Sequence, residues 1–102
     1  MIQSPDNQVW VSAISLWEIV VKAQFGKLEA PNDLIPAISA QDMQILSFSA
    51  AHASAVAGLP MHHRDPFDRA LVAQALCEGL RFLTADKAIE AYKDETEIVL
   101  IN

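Results

Sequence analysis

Apolar and polar positions along this chain switch between two periods, and the switches mark out its elements. Gln8 to Ala13 (Gln-Val-Trp-Val-Ser-Ala) is β-branched and aromatic and follows the turn-forming Ser4-Pro5-Asp6-Asn7, which predicts a short, largely buried strand. The period then lengthens. Leu16, Ile19, Val20 and Ala23 recur at i, i+3, i+4 and i+7, predicting a helix to about Phe25 that Gly26 ends in a left-handed conformation. Ser15-x-x-Glu18 has the form of a capping box at its start. Asn32 to Ala40 reads as a second short helix capped by Asn32 or Asp33, and Met43 to Phe48 as the next strand. Ser49 caps a helix through about Ala57, closed by Gly58-Leu59-Pro60.

The stretch from His63 to Ala75 concentrates the signals. Asp65 suits an N-cap, Pro66 suits the first helical position because its missing N–H would have no partner there, and Asp68 falls at the third. From Ala70 to Cys77 the helix is apolar nearly all round apart from Gln74, so it is expected to be buried on more than one side, with Cys77 as a small core residue. Gly79 ends it. Arg81 to Thr84 is the following strand, Asp86 to about Tyr92 a helix, and Glu97 to Ile101 a last strand.

Strands alternating with helices predict an α/β fold: a parallel sheet flanked by helices, in one domain over residues 1–102. Ligands of such sheets bind beyond the carboxyl ends of the strands. Three acids fall there. Glu18 follows the strand Gln8–Ala13, Asp86 follows Arg81–Thr84, and Asp68 opens the helix leading into that strand. Each has an ordinary structural role as well. Glu18 stands four residues before Lys22 as an i,i+4 pair, Asp68 favours a helix dipole, and Asp86 suits an N-cap. Their convergence on one edge is what favours a site.

The wording His63-Arg64-Asp65-Pro66-Phe67-Asp68-Arg69, followed by Phe82-Leu83-Thr84-Ala85-Asp86 and preceded by Ser12-Ala13-Ile14-Ser15-Leu16-Trp17-Glu18, resembles the PIN-domain nucleases, in particular the VapC-like toxins of bacterial toxin–antitoxin pairs. The three pieces occur in that family's order, from about Val9 to Ile101. The resemblance implies a PIN-like parallel sheet, RNA as substrate, and a small antitoxin that covers the acidic mouth. It also implies a strand ending in a fourth acid ahead of Gln8, where this sequence has only Met1 to Asn7. An N-terminally truncated domain is therefore expected, with a gap at the sheet's centre. Such a chain should rearrange its sheet, self-associate, or keep an upstream fragment, and should bind Mg²⁺ weakly and cleave RNA poorly or not at all.

Clustered carboxylates suit hard cations, and Mg²⁺ or Mn²⁺ would assist phosphodiester hydrolysis. Glu18, Asp68 and Asp86 are the expected catalytic acids and metal ligands. Asp65 is near the site but reads first as an N-cap. Thr84 has a hydroxyl that would orient the site, and Arg69 flanks the acidic helix start. The competing reading is a catalytically inactive PIN remnant that binds protein or oligomerises.

Composition narrows the partners. The net charge of −6 argues against a broad basic surface for nucleic acid, though not against a nuclease whose cations meet phosphate. No apolar run reaches the ~18 residues of a membrane span, and Met1 to Asn7 is too polar for a signal peptide, so a cytoplasmic protein is expected. Cys77 is the single cysteine, which rules out an internal disulfide. His62-His63 fits no common zinc spacing, and His52 reads as a packed or surface histidine. Trp10, Trp17 and Phe25 read as core or interface rather than base-stacking platforms.

Overall fold

Among the described residues, five strands form one sheet with its shortest strand at the centre. The computed structural model describes residues 2–3, 8–26, 33–62, 65–84 and 87–100. Its strands are β1 (Ile2–Gln3), β2 (Val9–Ser12), β3 (Gln44–Leu46), β4 (Arg81–Thr84) and β5 (Ile98–Leu100), ordered β3-β2-β1-β4-β5. β2 runs parallel to β3 and β4 to β5, while β1 is antiparallel to both its neighbours. β2 and β4 therefore share a direction, and Ser12, Leu46, Thr84 and Leu100 end the four longer strands at one edge.

The expected all-parallel sheet is thus corrected to a mixed one. Its parallel strands are as predicted, and the addition is Ile2–Gln3, which the sequence reading left outside any element. Only four residues separate Gln3 from Gln8, whereas parallel neighbours need a crossover of about a dozen or more, so a strand here has to run against β2. Ile2 lies between Trp10 and Phe82, Gln3 between Val9 and Arg81, and Ile2 is buried. The gap expected at the sheet's centre is bridged at these positions.

Helix α1 (Ala13–Gln24) begins directly after β2. Ser12 is the N-cap, its Oγ accepting the Ile14 N–H at 3.0 Å. The helix starts three residues before the predicted Leu16, so Ser15 and Glu18 lie inside it and form no capping box. At the other end Gly26, with φ of +71°, takes the left-handed conformation expected of it. α2 (Leu34–Ser39) follows Asp33, and α3 (Ala50–Val56) is capped by Ser49.

In α3 the third helical residue, His52, completes the cap. Its backbone N–H donates to Ser49 Oγ at 3.2 Å, and the Ser49 N–H donates to His52 Nδ1 at 2.9 Å. With Nδ1 accepting, Nε2 carries the proton and donates to Glu78 Oε1 at 2.7 Å. His52 is buried, so the packed alternative for it holds.

Helix α4 (Pro66–Glu78) fills the centre. Every residue from Arg69 to Ala75 is buried, leaving no solvent face over two turns, as the apolar run predicted. Its core cluster joins Leu71, Val72, Ala73 and Ala75 to Leu59, Phe82, Ile89 and Tyr92. Gln74 belongs inside because its Nε2 donates to the Ser47 carbonyl at 3.0 Å. Gly79, with φ of +65°, ends the helix. Cys77, expected in the core, is exposed instead, since the last turn runs beyond the packed segment and Leu76 and Glu78 are exposed with it.

Lys87–Tyr92 is a 3-10 helix rather than the α-helix predicted there. A three-residue period places Ile89 and Tyr92 on one face, and both are fully buried. Among the described residues no helix is long and apolar enough to cross a membrane.

Candidate active site

Glu18 and Asp68 stand on two helices, each with its start fixed by its own cap. Asp65 caps α4 with Oδ1, accepting from the Phe67 N–H at 2.9 Å and the Asp68 N–H at 3.4 Å. Pro66, at the first helical position, has no N–H to satisfy. Asp68 therefore stands in the first turn, where its carboxylate meets the positive end of the helix. Glu18 stands on α1, a turn and a half from the Ser12 cap.

A ring contact joins these helices, and an ion pair lies along the first of them. Trp17 and Phe67, the neighbours of Glu18 and Asp68, meet edge to face with ring centroids 5.1 Å apart. Lys22 Nζ lies 2.9 Å from Glu18 Oε2, the i,i+4 pair anticipated from the sequence. The Lys22 pKa is raised, first by its hydrogen bond to Glu18 and by that carboxylate's charge, against some loss of solvation, and then by Asp65 and Asp68. One ammonium thus feels three carboxylates from two helices. The sequence announced the Glu18–Lys22 pair but not the approach of Lys22 to Asp65 and Asp68, since that depends on how α1 crosses α4.

The remaining expected residues fall elsewhere. Asp86 lies outside the described residues, as do His63 and Arg64. The backbone of Thr84 ends β4 at the same edge as Ser12. Arg69, one residue and about 100° round the helix from Asp68, turns away from the acids and is buried against α3. Its Nη2 donates to the Val56 and Leu59 carbonyls, each at 3.2 Å. His62 sets its ring edge-on to Tyr92. Trp17 and Phe25 are exposed and so are not the core residues that one of the expected readings made them.

Carboxylate oxygens are the hard, anionic donors that Mg²⁺ or Mn²⁺ selects, and Lys22 pairs with one of them on Glu18. Among the described residues no three His, Cys, Asp or Glu side chains gather closely enough to hold a metal ion. Glu18 and Asp68 offer oxygens of the fitting chemistry, and Asp86, the third expected acid, lies outside the described residues.

A mostly parallel sheet flanked by helices defines an α/β domain. The PIN domain family matches residues 2–95, and the chain belongs to that family, a family of nuclease domains. None of the curated proteins compared with the chain matches it.

Proposed function

We propose that this chain is a divalent-cation-dependent endoribonuclease of the VapC-like toxin kind, with Glu18, Asp68 and Asp86 holding Mg²⁺ or Mn²⁺ at the carboxyl edge of the sheet. The observation that carries this reading is the Lys22 ammonium beside Glu18 and within the field of Asp65 and Asp68. Two separately capped helices thereby create a place for a cation. When bound, a divalent cation supplies polarisation of the phosphoryl oxygen and a lowered pKa of water.

The chain's own groups divide the remaining work. Glu18 and Asp68 offer the oxygens, Asp65 fixes the helix start that aims Asp68, and the Trp17–Phe67 contact holds the two helices in register. Lys22 has to release Glu18 before a cation can enter. The Thr84 hydroxyl is assigned an orienting role at the end of β4. RNA is drawn in by the bound cation rather than by a basic surface, consistent with the net charge of −6.

The partner in this reading is a small antitoxin. α1 contains no buried residue, and its Trp17 and Val20 and its C-cap Phe25 are exposed, a surface suited to an apolar helix. A basic side chain of the antitoxin would compete with Lys22 for the carboxylates. The same surface favours a second reading, an inactive PIN module that binds protein or oligomerises.

Incubating the purified chain with labelled RNA separates the two readings. Cleavage should require Mg²⁺ or Mn²⁺, stop in excess chelator, and fall on the order of 100-fold or more in Asp68→Asn. Cleavage unchanged by chelator or by Asp68→Asn overturns the metal-site reading. A folded, self-associated chain that cuts no RNA with either cation supports the second.

A further inference from the structure

Beside the start of α4 lies a pocket of about 410 Å³ lined by Val56, Met61, Pro66 and Arg69. Three of its walls are apolar and the fourth is a guanidinium that is nine-tenths buried. Among the described residues no carboxylate pairs with Arg69. Its Nη2 holds two backbone carbonyls at the end of α3, but Nη1 has only the Met61 thioether, 3.4 Å away, and Nε has no partner. Thioether sulfur is a weak acceptor, so an anionic oxygen would displace it readily. Met61 is largely exposed and is free to swing aside.

We infer that this pocket is a subsite for one nucleotide of the RNA, its phosphodiester oxygen taking the place of Met61 Sδ on Arg69 and its sugar lying against Val56 and Pro66. This rests on the nuclease reading. Pro66 and Arg69 share a face of the first turn that also carries Asp68, and a helix with its side chains is only ~10–12 Å across, so a strand crossing the helix start would reach acids and pocket within a nucleotide or two. A guanidinium whose Nη1 holds only a thioether offers one charge-assisted N–H to a phosphate oxygen. The pocket volume lies in the range of small-ligand sites.

The test uses NMR on the whole chain in chelator, which keeps it independent of metal and of cleavage. Adenosine 5′-monophosphate should shift the Met61 methyl and Arg69 Nε–H signals in a saturable way, and adenosine should not. N-acetylleucine, a carboxylate on an apolar stem, should bind about tenfold more weakly. Met61→Glu, which places a carboxylate at the exposed mouth, should weaken adenosine 5′-monophosphate about tenfold, and Met61→Leu should leave it unchanged. Asp68→Asn should keep this binding while losing cleavage, so failure of the metal site and failure of the pocket are read separately. Equal binding of adenosine, tighter binding of N-acetylleucine, or undiminished binding to Met61→Glu would each overturn the inference.

Discussion

The ring of Trp17 meets the ring of Phe67 at 68°, joining the helix that carries Glu18 to the helix that carries Asp68. Each aromatic precedes an acid in the sequence, so the ring contact sets how the two acid-bearing helices lie against each other. Trp17 remains more than half exposed, which limits what its burial contributes. Trp17→Ala should therefore cost stability only at the scale of an aromatic pair, ~0.5–1.5 kcal/mol, seen as a fall of several degrees in Tm. RNA cleavage should fall further than stability does, because the acids lose their spacing. A variant that cleaves normally would detach the contact from the site.

Lys22 competes with any divalent cation for Glu18. Removing it in Lys22→Met should tighten Mn²⁺ binding by about two- to fivefold, the scale of an exposed ion pair, as measured by calorimetry. Weaker binding in this variant would mean that the ammonium supports the site rather than blocking it.

The same lysine links stability to alkaline pH. Its pKa is raised in the folded chain, so its contribution is complete below the ordinary lysine pKa and is lost as pH climbs through the folded one. Denaturation midpoints of the parent and Lys22→Met should differ near neutrality and converge at strongly alkaline pH. A difference that persists there would assign the effect to packing.

Asp65 and His52 carry caps whose loss is measurable. Asp65→Ala frees the Phe67 and Asp68 N–H groups and should cost ~0.5–2 kcal/mol, with Asp65→Ser recovering most of it. His52→Phe leaves the Ser49 N–H without its acceptor in the described cap and should cost ~1–3 kcal/mol. Urea denaturation of both variants tests the assignment, and values near zero would show that solvent replaces these bonds.

Cys77 is exposed, so a thiol reagent should modify the native chain at a rate close to that of the unfolded chain. Strong protection would place Cys77 in an interface with another chain.

The parts of the fold visible in the sequence are those written within four residues of themselves. Asp65-Pro66 with Asp68, the Ser49 cap, Gly26 and Gly79 each solve a local backbone problem, and each stands where it was expected. The start of α1 was misread because Ser15-x-x-Glu18 copies a cap, while Ser12, at the strand's end, does the work. The Glu18–Lys22 pair was legible for the same reason as the caps, being one helical turn long.

What the tertiary structure alone decided are the relations between elements distant in sequence. Ile2–Gln3 carries too few residues for a periodic signal, and it becomes a strand only because β2 and β4 stand on either side of it. The exposure of Cys77, the turning of Arg69 toward α3, and the gathering of Glu18, Asp65 and Asp68 around Lys22 all depend on how α4 is packed. Hydrogen bonds along the local backbone fix caps and helix ends, so these are sequence properties. Which side chains meet across the core is fixed by chain closure and volume filling, which no short stretch of residues encodes.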